Sequence, residues 1–169
     1  MKKMKLKPSE TEHLIEAERD NLLQYACYRL GDVDEAEDAV QDVCLSLHCR
    51  ISEEGLSVRN PVAYLYRTLS NLCVTRLREA ALHQEIPIDT LPEPADTETE
   101  DFEQEFRRIS RLLCEIPDEQ AEVIRLRFYG DKSFREIADI LGLPLTTAKS
   151  RFTYGLEKIR RGMRAPFSL

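Results

Sequence analysis

Residues 83–105, HQEIPIDTLPEPADTETEDFEQE, hold nine carboxylates, three prolines and no lysine or arginine. Such a segment repels itself and lacks the apolar surface that offsets the loss of conformational freedom on folding, so it does not suit the interior of a domain. The 169-residue chain is therefore expected to form two small units, residues 10–80 and 106–165, joined by an acidic flexible linker over residues 81–105.

Both units read as helical, and strand signals are absent, so the expected fold class is all-α. In AEDAVQDVCLSL, Ala36, Ala39, Val40, Val43, Cys44 and Leu47 recur with the spacing of a half-buried helix. Leu22, Leu23, Ala26, Cys27 and Leu30 make a similar face ahead of it, stopped by Gly31 and Asp32. After Asn60-Pro61 a third helix buries Val62, Leu65, Tyr66, Leu69, Leu72, Cys73 and Leu77. In the second unit Phe102, Phe106, Ile109, Leu112 and Leu113 mark a helix that ends before Ile116-Pro117, and another starts at Pro117 and ends at Gly130. Ser133 and Glu136 form a capping box for a short helix, Phe134 to Leu141, and Gly142 supplies its left-handed exit. The last helix starts near Pro144 or Leu145 and buries Ala148, Phe152, Leu156, Ile159 and Met163. A short helix, a glycine turn and a longer basic helix make the helix-turn-helix pattern.

Charge and composition narrow the function. No apolar run approaches the ~20 residues of a membrane span, and the Lys-rich start MKKMKLKPSETEH lacks the apolar core of a secretory signal. A cytoplasmic protein with no membrane insertion is expected. The five cysteines, at 27, 44, 49, 73 and 114, contain no C-x-x-C pair, which favours buried thiols over a disulfide framework. Cys44, His48 and Cys49 lack a fourth ligand, so neither metal nor cofactor is expected. The three histidines, at 13, 48 and 83, are scattered, and there is no phosphate-cradling glycine loop; nothing points to an enzyme. The formal net charge of −7 conceals blocks of opposite sign, with positive excess in residues 56–82 and again in residues 106–169.

Those basic blocks contain two polar ridges. On the third helix Tyr64, Arg67, Thr68, Asn71, Thr75 and Arg78 share one side without an acid. Arg holds phosphates, Asn reaches base edges and Tyr stacks on an unpaired base; a solvated helix face is the plainer alternative. Arg76 falls on the apolar side and is expected to snorkel. On the last helix the ridge is Thr147, Ser150, Arg151, Tyr154, Lys158 and Arg161, with Lys149 alongside. Its N-terminal hydroxyls and Arg151 suit base edges, and its later cations suit phosphates. A third surface, Asp38, Gln41, Asp42 and Leu45, is either a charged exterior with one stray leucine or a docking face for a protein.

The order of these pieces resembles the extracytoplasmic-function (ECF) sigma factors of bacterial RNA polymerase. GDVDEAEDAVQDVCLSL is similar to the segment called region 2.2, NPVAYLYRTLSNLCVTRLR to region 2.4, and IPDEQAEVIRLRFYGDKSFREIADILGLPLTTAKSRFTYGLEKIR to region 4. The resemblance spans roughly residues 14–164. It implies a factor that directs core polymerase to promoters by reading minus-35 and minus-10 elements. Asp38, Gln41, Asp42 and Leu45 would then dock on the polymerase, and Tyr64, Arg67, Asn71 and Arg78 would meet the minus-10 element. Thr147, Lys149, Ser150, Arg151, Tyr154 and Lys158 would enter the major groove at minus-35.

The implied partners are the polymerase core, promoter DNA and a possible anti-sigma factor. The chain departs from the family pattern in having no Trp, in Thr75 where an acid is frequent, and in Pro144-Leu145 at the recognition-helix start. A helix-turn-helix regulator that acts without replacing a sigma factor is the alternative, and a pure interaction protein a further one.

Overall fold

The computed structural model describes residues 6–52, 58–83 and 97–164, with the side chains of residues 97–103, 105 and 106 left out. Seven helices occupy the described residues: α1 (Pro8–Leu30), α2 (Val33–Ser52), α3 (Pro61–His83), α4 (Thr97–Glu115), α5 (Asp118–Phe128), α6 (Phe134–Leu141) and α7 (Leu145–Arg164). No strand occurs among these residues, and the fold is all-α.

Short polar residues set the helix boundaries of the first unit. Gly31 takes the left-handed conformation (φ 72°) and donates its N–H to Cys27 O, closing α1. Asp32 Oδ1 accepts from Glu35 N, and Asn60 Oδ1 from Ala63 N, both at 3.0 Å, so each side chain satisfies an otherwise orphaned N–H. The α2 stripe of Ala36, Ala39, Val40, Val43 and Leu47 is buried in one cluster with Leu22, Tyr25 and Ala26 of α1 and Ala63, Leu65, Leu69 and Cys73 of α3. Burial pushes the Cys73 thiol up to about 12. The expectation of buried thiols fails elsewhere: Cys49 and Cys114 are exposed, while Cys27 and Cys44 are half-buried. Leu77, expected inside, is 38% exposed near the end of α3.

In the second unit, Ser133 Oγ accepts from Glu136 N while Glu136 Oε2 accepts from Ser133 N, completing the predicted capping box of α6. Gly142 exits with φ 65°. Leu113, Ile116, Ala121 and Ile124 form a small core that Leu156 and Ile159 of α7 flank. Two small residues, Ala148 and Gly155, are the buried positions of α7. A Cβ on Gly155 would stand 2.7 Å from Ile124 Cδ1 and 3.2 Å from Gln120 Cβ, so glycine is what lets α7 approach α5 so closely. Met163, expected on the buried stripe, is 46% exposed.

Two further features differ from the sequence reading. Helix α3 continues to His83 and α4 begins at Thr97, so the outer parts of the segment expected to be linker are helical; residues 84–96 lie outside the described residues. The two units also do not have wholly separate interiors. Val123, Leu126, Ile137, Ala138, Ile140 and Ala148 of the second unit belong to the same buried cluster as the first unit's core, with α3 packed on α6 and α1 touching α5.

Candidate nucleic-acid interface

The helix-turn-helix is built by α6, Gly142 and α7. Leu143 N donates to Ala138 O across the turn, and an aromatic cluster fixes the angle between elements. Phe152 of α7 meets Phe134 of α6 edge-on, with centroids 5.1 Å apart, and Phe128 of α5 at 5.9 Å. Arg127 lies over the Phe134 ring at 5.2 Å.

With Ala148 and Gly155 inward, α7 turns Lys149, Ser150, Tyr154 and Lys158 to solvent, and Tyr154 is 59% exposed. Thr147 and Arg151 are half-buried on its flank. Arg151 Nη2 stands 3.4 Å from Glu119 Oε2 of α5, an open pair that a DNA phosphate or base edge can replace. Arg161 is held by Glu157 one turn back, at 2.7 Å, so a carboxylate stands beside the ridge. At the start of α7, Thr147 N and Ala148 N both donate to Pro144 O.

The α3 ridge is less uniform than its spacing suggests. Asn71 and Arg78 are exposed, with Thr75 Oγ1 donating to Asn71 O. Tyr64 is half-buried against α2: its hydroxyl is 3.0 Å from Ser46 Oγ, and the Arg50 guanidinium lies 5.4 Å from its ring centroid. Arg67 reaches across to the second unit, Nε donating to Ile140 O and Nη2 to Asp139 O, both at 2.9 Å. Thr68 is half-buried.

Arg76 corrects the sequence reading most clearly. Instead of snorkelling, it donates from Nη1 to Glu35 O and Oε2, and from Nη2 to Asp38 Oδ2 at 2.8 Å and Asp42 Oδ2 at 2.9 Å. Its side chain is only 16% exposed. A signal was available in the sequence: Glu35, Asp38 and Asp42 run i, i+3, i+7 along α2, opposite one cation on α3. The proposed docking face thus has two parts. Asp38 and Asp42 are clasped by α3, whereas Gln41 and Leu45 edge a groove of about 520 Å³ between α1 and α2, which Ile15, Leu23 and Cys44 also line. Leu45 is 54% exposed.

Among the described residues no group of three or more His, Cys, Asp or Glu side chains is placed to hold a metal ion. No helix there is long and apolar enough to cross a membrane.

Comparison with known proteins gives two family matches, Sigma-70 region 2 over residues 14–82 and Sigma-70, region 4 over residues 112–161. The chain is 28% identical to the ECF RNA polymerase sigma factor SigW of Bacillus subtilis, covering 89% of this chain and 87% of that one. It is 29% identical to the ECF RNA polymerase sigma factor RpoE of Cereibacter sphaeroides, covering 76% and 72%. Among solved structures, CnrH in complex with the cytosolic domain of CnrY is similar in fold, with a TM-score of 0.70 at 20% identity over 95% of this chain and 92% of that one.

Proposed function

Because the chain belongs to the ECF sigma factors, which direct bacterial RNA polymerase to promoters, we propose that its two polar ridges divide the reading of one promoter. Helix α7 enters the major groove of the minus-35 element with Thr147, Lys149, Ser150, Arg151, Tyr154 and Lys158. The observation that carries this is the exposure of Lys149, Ser150, Tyr154 and Lys158 on the side of α7 away from the Ala148 and Gly155 seam. Hydroxyls and Arg151 near the start of the helix reach base edges, and Lys158 farther along meets a phosphate.

Helix α3 serves the minus-10 element. Asn71 contacts a base edge, Arg67 and Arg78 hold phosphates, and the Tyr64 ring flanks an extruded base. Sigma factors are not themselves catalysts. Unstacking a base costs a few kcal/mol, which contacts to the extruded base offset. Core polymerase docks on Gln41 and Leu45 at the α1–α2 groove, with Asp38 and Asp42 supplying charge. Residues 10–80 and 106–165 are the two functional units, and the protein works in the cytoplasm beside the polymerase. CnrH is seen with the cytosolic domain of CnrY bound, which supports expecting a regulatory protein partner, an anti-sigma factor, for this chain too.

Transcription reconstituted from purified core polymerase and genomic promoter fragments tests the reading. Defined start sites that depend on adding the protein are expected. Sequence-specific duplex binding without polymerase, and no start sites, would instead indicate the regulator that acts alone.

A further inference from the structure

The flank of α2 that faces α3 changes character along its length. Towards its start, Glu35, Asp38 and Asp42 gather around Arg76. Farther on, Ser46 and Arg50, one turn apart, meet Tyr64 instead. Tyr64 comes before Arg76 on α3 but finds its partners later on α2, so the helices run antiparallel along this seam. The backbones beneath are fixed, because Val43 and Leu47 of α2 and Ala63 and Leu65 of α3 are buried in the core. The α3 ridge therefore has a neighbour on α2 that spacing along α3 alone does not include.

The Tyr64 ring is held at both ends, at its root by α3 and at its hydroxyl by Ser46 Oγ, 3.0 Å away. The Arg50 guanidinium lies 5.4 Å from the ring centroid, inside the ~6 Å range of cation–π attraction. Tyr64 is half-buried whereas Arg50 is exposed, so a base arriving from solvent over that face meets the guanidinium first. The base does not fit between the two: it would need two stacking steps of ~3.4 Å, about 7 Å in all, and the separation is 5.4 Å. A guanidinium is planar and weakly hydrated, and can lie on an aromatic ring with one face and on a base with the other. A lysine ammonium has the charge without the plane.

We propose that Arg50 of α2 touches the extruded base of the minus-10 element, stacked between that base and the Tyr64 ring, and that Ser46 is a positioning residue acting through the Tyr64 hydroxyl. The inference rests on α3 reading minus-10 DNA and deepens that reading. Asn71 distinguishes a base by its edge, while the Arg50 platform accepts the flat face that every base has. Its charge also favours the phosphates on either side of the extruded nucleotide. The site is thus shared between α2 and α3, and the Arg76 clasp farther along the same seam holds the two contributions in register.

The test uses the full chain assembled with core polymerase, and a fluorescent non-template strand taken from a promoter whose start site has been mapped as above. Each minus-10 base in turn is replaced by an abasic sugar. Arg50→Ala is expected to weaken binding of the intact strand about tenfold, the size of one stack, and to change little on the one strand that lacks the extruded base. Arg50→Lys is expected to lose nearly as much as Arg50→Ala. Ser46→Ala and Tyr64→Phe are each expected to weaken the intact strand roughly threefold, and the two together no more than either alone. Because Arg50 is exposed, its variants are expected to keep their helicity. An Arg50→Ala loss that is the same on every abasic strand, or an Arg50→Lys chain that binds like the wild type, indicates a phosphate contact and overturns the stack. Additive losses at Ser46 and Tyr64 overturn the positioning role. Weaker binding with Asn71→Ala but not with Arg50→Ala overturns the inference and leaves the α3 assignment standing, whereas no loss with either removes that assignment itself.

Discussion

Gly155→Ala tests whether the seat of the recognition helix depends on one missing carbon. A Cβ at this position would meet Ile124 Cδ1 at 2.7 Å, whereas ordinary van der Waals contact begins near 3.4 Å, so Ile124 or α7 must give way by about 0.7 Å. Ile124 is 4% exposed and has little room to retreat. Overpacking of this kind costs about 1–3 kcal/mol, and replacing a mid-helix glycine by alanine returns about 1 kcal/mol. The net loss is ~1 kcal/mol, or a fall in Tm of roughly 2–4 °C for a chain of this size.

Thermal unfolding followed by circular dichroism reads the change. Ile124→Val removes the clashing Cδ1 and alone costs about 0.5–1.5 kcal/mol. In combination with Gly155→Ala it is expected to cost clearly less than the two losses added. A double variant whose loss equals that sum within about 0.3 kcal/mol refutes the argument.

Arg151→Ala is expected to weaken initiation at promoters that rely on a minus-35 element more than it weakens core binding; equal loss of both counts against the α7 assignment. Asp42→Arg does the reverse, because it reverses charge on the docking face and also opposes Arg76, and unaltered affinity for core polymerase rejects that face. In native protein at pH 8, iodoacetamide is expected to modify exposed Cys49 and Cys114 well before Cys73, whose thiol is buried and pushed up to about 12; equal rates refute the packing described. Burial raises the Glu122 pKa above its ordinary value of 4.5, outweighing the hydrogen bonds from Tyr25 and Ser70 and the charge of Arg29. Facing it, Tyr25 and Cys73 are pushed up and stay protonated, Arg29 is pushed up and stays charged, and Asp118 adds to the rise. The folded chain thus binds a proton at Glu122 more readily than the unfolded one. Its contribution to the fold is complete below the ordinary value and is lost as pH rises through the raised one, so thermal unfolding should show Glu122 favouring the fold more on acidification. A Glu122→Gln chain with the same pH response refutes this.

The helices and their ends were legible in the sequence because they rest on local chemistry. The Ser133 and Glu136 capping box, the glycine exits at Gly31 and Gly142, and the α2 stripe all involve residues within a few positions of one another. The ridge on α7 was legible for the same reason, since small buried residues fix which side faces out. What was not legible depends on contacts between distant segments. Spacing along α3 could not reveal that Arg67 meets α6, that Tyr64 leans on Ser46, or that Glu122 finds Tyr25 and Ser70. The acidic run was read as linker by composition, yet α4 begins within it at Thr97, because helix propensity is high for glutamate and the amphipathic pattern continues from Phe102.

The Arg76 cluster binds the fate of two helices together. One guanidinium on α3 is shared by three acids of α2, so loss of the arginine would leave those acids crowded and unneutralised, and loss of the acids would strand the arginine. In descendants of this chain, drift at position 76 should therefore be accompanied by compensating drift at 35, 38 or 42, and grafting α2 from another lineage without its matching α3 should yield a poorly fitting hybrid.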